Sequence, residues 1–228
     1  MTARLWSKLP GSYPKRNNIT MPELLPLFPL QLVVFPGERL PLHIFEERYK
    51  LLISRSISES SEFGIVLTHK QGILNAGCTV KVETVLRTHE DGRLDIMTEG
   101  ARRFEVTELH NDQPYLEGMV EFFDDEDTDL VPASLRIEAL GLYQQLRQDG
   151  EEHAGPMPAA GDPLLSFRLG EALRDVEFQS VLLRDRSEGS RLRRLVAFLK
   201  QHIPEVKQAK RMKQLAPRNG FSPNPINL

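Results

Sequence analysis

The stretch Leu24–Ile53, LLPLFPLQLVVFPGERLPLHIFEERYKLLI, constrains the fold more than any other part of this chain. Its four prolines, Pro26, Pro29, Pro36 and Pro41, cut an apolar run into pieces too short for a helix. Each proline lacks a backbone N–H and clashes with the preceding turn, so a helix before Phe45 is disfavoured. The pieces that remain, Leu24–Leu27, Val33–Phe35 and Arg39–Phe45, are expected to be short extended segments. Their side chains alternate only in part, as in strands buried on both faces or lying at bends and edges. After Phe45 the pattern changes. Glu46 and Glu47 carry the negative charge that a helix N-terminus favours, and Tyr49, Leu51, Leu52 and Ile53 supply an apolar stripe, so a helix is expected from Glu46 to about Ser58.

Downstream the pattern is one of strands. Phe63–Thr68 (FGIVLT) reads as a buried strand, and the glycines of Gln71-Gly72 and Ala76-Gly77 mark a loop with room for another short strand between them. Thr79–His89 alternates, Asp91-Gly92 supplies a turn, and Arg93–Thr98 returns as the second strand of a hairpin. Gly100 is expected at a bulge or bend. Arg103–Leu109 resumes alternation with Phe104, Val106 and Leu109 inward, and Tyr115–Phe123 is a further strand. An antiparallel meander of this kind is the signature of a small barrel or sandwich.

The acidic run Asp124–Asp129 (DDEDTD) reads as a solvated hinge, since it lacks the glycine and terminal glutamate of a calcium loop. Beyond it the period becomes helical. Pro132 suits a first helical turn, and Leu135, Ala139, Leu142, Tyr143 and Leu146 share a face. Asp149–Gly161 is a loop. Asp162-Pro163 caps the next helix, Glu177–Arg186 is expected to be a short one, and Ser187 caps the last, whose stripe is Leu192, Leu195, Val196, Leu199 and Ile203. Pro204 is expected to end it, leaving 204–228 as a basic disordered tail. The fold class is therefore α+β, with a β-rich unit over 21–123 and a helical unit over 130–203. Residues 1–20, basic and without acids, read as a disordered extension, with Met21 as a possible start.

Taken together, LPLFPL, VVFPG and LPLHIFEERYKLL resemble the opening of the N-terminal domain of the ATP-dependent Lon proteases, a domain also met as a free-standing protein and within cereblon. The resemblance extends more weakly to about Ile203. It implies a PUA-like twisted β barrel followed by a C-terminal helical bundle. It also implies a polypeptide-binding module that recognises unfolded or extended chains, as a protease adaptor or chaperone-like binder. Such recognition needs exposed apolar surface or an open sheet edge. Leu32, Val33 and Phe35, beside the prolines, and Phe122 and Phe123, at the end of a strand, are the candidate contacts.

Other chemistry finds less support. No Gly-x-x-x-x-Gly-Lys-Ser/Thr phosphate loop and no serine nucleophile motif occurs, so neither the ATPase nor the Ser-Lys peptidase of a full Lon protease is expected, nor any cofactor. His43 with Glu46 and Glu47 could hold a metal if they converged, but a strand-to-helix corner explains them better. The remaining histidines, His89 among them, show no ligand spacing. Cys78 reads as a small buried residue, and a single cysteine fits a reducing cytoplasm. No run is apolar enough to span a membrane. RNA is the alternative partner, through the basic ends of the chain. Against it, residues 21–202 carry a net charge of about −11, and Arg102-Arg103 is the one basic pair in the β-rich unit.

Overall fold

The computed structural model describes residues 22–69, 72–126, 130–149, 156–173 and 175–215. The expected extension over 1–20, Met21, and the tail beyond 215 lie outside the described residues. Within them, six strands precede four of the five helices: β1 (Glu23–Leu30), β2 (Arg39–Ile44), α1 (Glu47–Glu59), β3 (Phe63–His69), β4 (Gly72–Thr88), β5 (Leu94–His110), β6 (Leu116–Phe123), α2 (Ala133–Asp149), α3 (Leu165–Glu171), α4 (Val176–Arg184) and α5 (Glu188–Leu215). The fold is mixed α+β, with one six-stranded sheet in the order β2-β5-β4-β3-β1-β6 and a further β5–β6 pairing.

β1 carries Pro26 and Pro29 although it lies between two strands. The register explains how. β1 pairs with β6 through Glu23–Leu27 and with β3 through Leu27–Leu30, so the two partnerships overlap only at Leu27. Each proline therefore sits where one side of the strand has no partner, and its missing N–H costs no ladder bond there. Val33–Phe35 is a connection rather than the expected strand. β2 matches the third extended piece and pairs with β5 alone.

β4 and β5 each have 17 residues, longer than their sequence patterns suggest. The expected loop around Gly72 and Gly77 is instead the first half of β4. Gly77 pairs across to Phe104, and a Cβ there would lie 2.5 Å from the Phe104 ring, so glycine here marks close packing. A register shift opposite Thr79 places the bulge one residue beyond Gly100, at Ala101 and Arg102. Leu109, expected inward, is 45 % exposed near the end of β5.

Side-chain caps start α4 and α5 but not α1 or α3; Asp162, expected to cap the helix after it, accepts instead from Leu164 N–H, and α3 begins at Leu165. The Asp175 carboxylate accepts from Phe178 N–H, and Ser187 Oγ accepts from Ser190 N–H. The expected stripe of α5 is buried throughout, from Leu192 to Ile203. Pro204 does not end that helix, which continues to Leu215. Proline removes one donor from a helix interior, but here the preceding turns are already held by the buried stripe. One hydrophobic cluster runs from Phe28, Phe35 and Phe63 through Tyr143 and Phe167 to Leu199 and Ile203, so strands and helices share a core. A smaller cluster, Leu25, Leu27, Val66, Phe104 and Val120, fills the space within the strands.

Glu38 lies at the seam between strands and helices. Its carboxylate accepts from Phe35 N–H at 2.9 Å, and Arg168 of α3 donates to the neighbouring Gly37 carbonyl at 2.7 Å. Burial pushes the Glu38 carboxyl up from 4.5 to about 7, with the Phe35 N–H opposing and the Glu171 carboxylate adding to the rise. A pKa raised on folding means that the folded chain holds this proton more tightly. The associated stability is full below about pH 4.5 and is lost as pH rises through about 7. Glu38→Gln keeps the acceptor and removes the charge. At pH 8 it is expected to be more stable than the parent by roughly 1–2 kcal/mol, with the two converging near pH 4, as read by urea unfolding at both pH values.

Candidate functional site: a split in the sheet beside α1

β3 begins at Phe63, which pairs with Val80, and Gly64 pairs with Leu27. Beyond that start, β1 residues 23–26 and β4 residues 81–88 have no strand on their facing sides among the described residues. β1 keeps only β6 there, and β4 keeps only β5. The sheet is thus split, and the C-terminal end of α1 sits in the split. That end turns through Ser60, which adopts a left-handed conformation (φ 52°) and donates its N–H to the last carbonyls of the helix.

Two grooves flank this helix end and share Ser56, Ser60 and Ser61. The one on the β1 side has a volume of about 360 Å³, with Leu24, Pro26 and Phe63 on its walls and Arg55, Glu59, Glu62 and Arg102 around it. The one on the β4 side, about 170 Å³, runs between Ile57 and the strand Lys81–Val85. Exposed apolar side chains line these grooves: Leu24, Ile57 and Val85 are 39–48 % exposed. The two open edges differ chemically. Pro26 removes a donor from the β1 edge, whereas residues 81–88 contain no proline. The β4 edge does carry two register shifts, around Glu83 and Leu86, and charged Lys81, Glu83 and Arg87. Bulges and charges of this kind limit indiscriminate strand pairing.

The side chains expected to make polypeptide contacts lie elsewhere. Val33, Phe35 and Phe123 are buried, at 6 %, 1 % and 8 % exposure, and the Phe35 ring stacks on Phe167 of α3 at 5.2 Å. Their apolar character serves the core, because the connection carrying Val33 and Phe35 is covered by the helices that follow much later in sequence. Leu32 and Phe122 are partly buried, Leu32 against the large cluster and Phe122 against the small one, beneath the Arg102 guanidinium at 3.8 Å. The basic pair is also engaged: Arg102 bonds Glu62, and Arg103 is buried against Asp125.

The acidic run is not wholly solvated. Asp125 accepts from Arg103 Nη2 and from both terminal nitrogens of Arg191, each at 2.6 Å. Arg191, 1 % exposed, also donates to Ser166 Oγ and Glu188, and both guanidiniums lie over the Phe167 ring. Burial raises the Asp125 pKa, but the bonds and charge of Arg191 and Arg103 outweigh it and hold the carboxyl below its usual range. The Glu126 side chain accepts from Arg186, and its N–H donates to the Arg186 carbonyl. This hinge is thereby tied to β5, α3 and α5. Residues 127–129 lie outside the described residues.

His43, Glu46 and Glu47 do not converge. Glu46 pairs with Arg48 and Glu47 with Lys50 at the start of α1. His43 instead meets Asp95, its cross-strand partner on β5, with Nδ1 2.5 Å from Oδ1. The other Asp95 oxygen is 2.8 Å from His89 Nε2. Hydrogen bonds first from His43 and then from His89 hold the Asp95 carboxyl below its usual range. Spacing could not reveal this set, because strand register and the Asp91-Gly92 turn bring 43, 89 and 95 together. Cys78 is fully buried, which pushes its thiol well up and leaves it un-ionised.

Comparison with solved structures defines the fold. The Lon N-terminal domain protein from Xanthomonas campestris superposes with a TM-score of 0.62 at 27 % identity, over 77 % of this chain and 98 % of that one. The N-terminal domain of the Mycobacterium avium complex Lon protease, at 16 % identity, shares the fold with the same TM-score of 0.62, over 79 % and 100 %. The architecture is that of a Lon N-terminal domain.

The family model for the ATP-dependent protease La (LON) substrate-binding domain matches residues 24–212, and the chain belongs to that family. The match passes Pro204, in keeping with the length of α5. Among full-length relatives, Lon protease 2 of Myxococcus xanthus is 26 % identical over 159 residues, 65 % of this chain and 19 % of that protein. The Lon protease of Anaeromyxobacter dehalogenans is 27 % identical over 159 residues, 65 % of this chain and 18 % of that protein. The chain spans about a fifth of the length of these proteases. No helix among the described residues is long and apolar enough to cross a membrane.

Proposed function

We propose that this chain is a polypeptide-binding module without catalysis of its own, acting as an adaptor for a protease or as a chaperone-like binder of unfolded chains. The open edge of β4 over residues 81–88 carries this reading. An extended peptide laid in the groove between that edge and α1 would gain main-chain hydrogen bonds from β4 and apolar contact from Ile57 and Val85. Main-chain pairing is indifferent to sequence, and a small apolar wall offers few anchoring pockets, so affinity should be modest and tolerant. The strand pairings from β5 through β4, β3, β1 and β6 back to β5 fit a PUA-like barrel, with α2–α5 as its companion bundle.

The test is retention of several chemically unfolded polypeptides on the immobilised chain. Ile57→Asp and Val85→Asp introduce charge on the groove wall without removing core volume. Each is expected to weaken retention at least fivefold, about 1 kcal/mol, with the thermal midpoint unchanged. Retention indifferent to both substitutions, or absent for the parent across all polypeptides, sinks the reading. Recovery of RNA alone from cell extract, lost on deleting 205–228, would favour the alternative partner.

A further inference from the structure

We propose that His43, His89 and Asp95 form a binding site for a divalent first-row transition metal of the zinc class, at the turn end of the β4–β5 hairpin. The three side chains come from three places. His43 lies near the end of β2, where the chain turns into α1. Asp95 lies opposite it on β5. His89 begins the hairpin turn, which closes through Arg93 O accepting from His89 N–H and His89 O accepting from Gly92 N–H. Gly92 has φ +80°, a conformation glycine adopts without strain, and this brings the His89 ring back beside Asp95.

The geometry suits a metal. One ligand atom from each residue lies within 4.8 Å of the others. Tetrahedral ligands at about 2.0–2.2 Å from zinc stand roughly 3.3 Å apart. The two histidine–carboxylate contacts, 2.5 and 2.8 Å, are made to opposite Asp95 oxygens and must open by less than about 1 Å, while the ligand atoms now up to 4.8 Å apart must close by roughly 1.5 Å to reach that spacing. Two imidazoles with one carboxylate favour zinc, nickel or copper over magnesium or calcium, which prefer all-oxygen sets. The side chains keep 45 %, 18 % and 33 % of their surface for His43, His89 and Asp95, so water completes the coordination. In the bound form His43 Nδ1 and His89 Nε2 offer their lone pairs to the ion, and each neutral ring carries its proton on its other nitrogen.

An ion here would tie the β2–α1 corner to the hairpin turn. That turn follows directly on the open β4 edge, so the metal would stiffen the strand flanking the groove. The site stands on its own geometry and does not depend on the groove binding polypeptide.

The test uses the untagged full chain freed of metal with a chelator. Titration with Zn²⁺ by calorimetry should give one equivalent. Co²⁺ should produce visible absorption of a nitrogen–oxygen site. His43→Ala, His89→Ala and Asp95→Asn are each expected to weaken Zn²⁺ binding at least tenfold. His110→Ala, on the distal end of β5, should leave it unchanged. Zn²⁺ should raise the thermal midpoint of the parent and not of the three variants, whose midpoints in chelator should match the parent's. The proposal is overturned if the parent binds no stoichiometric Zn²⁺, or if the His43→Ala/His89→Ala/Asp95→Asn triple variant binds as tightly as the parent. In that event the three residues are a hydrogen-bonded clasp alone.

Discussion

Asp125→Asn is expected to destabilise the chain by about 3 kcal/mol at neutral pH, a large share of what holds a domain of this size folded. The substitution is nearly isosteric, so the loss is electrostatic. Arg191 and Arg103 are 1 % and 5 % exposed, and Asp125 accepts three of their hydrogen bonds. Removing one partner of a buried pair leaves an uncompensated charge and costs about 3–5 kcal/mol. The lower end applies because Asp125 keeps 31 % of its side-chain surface, and Glu188 and the Asp185 carbonyl still receive Arg191. The sign with pH follows from the lowered pKa of Asp125. A carboxyl depressed on folding contributes stability that is present above its unfolded value of about 3.8 and is lost as pH falls through the folded value. The penalty should therefore be full at pH 7 and shrink in acid. Urea unfolding at pH 7 and below pH 4 measures it. Asp124→Asn, exposed and acting on Arg103 only through charge at a distance, should change stability by less than about 0.5 kcal/mol. Equal effects at 124 and 125 would mean that the acidic run is only a solvated hinge.

Gly100→Ala is expected to cost about 3 kcal/mol, and to loosen the stacking of Phe35 on Phe167. A Cβ at Gly100 would lie 2.1 Å from the Phe35 carbonyl oxygen and 3.2 Å from Val34 Cγ1. The obstacle is backbone, which cannot rotate aside. Two main-chain bonds hold the strands at this distance: Gly37 N–H to Gly100 O at 2.7 Å and Gly100 N–H to Glu38 O at 2.8 Å. The Val33–Glu38 connection thus lies directly on β5, and the methyl must push it away. Near-ultraviolet dichroism should report the loosened aromatic packing and denaturant unfolding the free energy. Gly141 provides the contrast. It is exposed in the middle of α2 with nothing within 4 Å of an added Cβ, so Gly141→Ala should stabilise by roughly 0.5–1 kcal/mol through helix propensity alone. A tolerated alanine at 100 would show that the connection is mobile rather than packed.

Sequence patterns located the strands well where alternation met a strong turn, as at Thr79–His89 with Asp91-Gly92. They located helices where caps stood before an apolar stripe, as at Ser187 and Leu192–Ile203. They were weakest where glycine had two meanings. Gly77 reads as a loop signal, yet it sits inside β4 because the Phe104 ring leaves no room for a side chain. Pro204 reads as a stop, yet the helix passes through it. Of the candidate contacts, Val33, Phe35 and Phe123 are core, with Leu32 and Phe122 partly covered. Apolar character announces burial or binding equally, and only the position of the later helices separates the two.

The proline-broken opening determined by itself that Leu24–Phe45 holds short extended pieces rather than a helix and that a helix follows from about Glu46, and its pieces carried the family, because proline geometry and charge at a helix start are local. What only the tertiary structure decided depends on residues far apart in sequence. The late start of β3 leaves the edges of β1 and β4 open beside α1. Register and a turn bring His43, His89 and Asp95 within reach of one another. Asp125, one carboxylate in an acidic run, receives two buried arginines from β5 and α5. Each rests on where distant segments meet, and loop closure and strand pairing set that without leaving a local mark in the sequence.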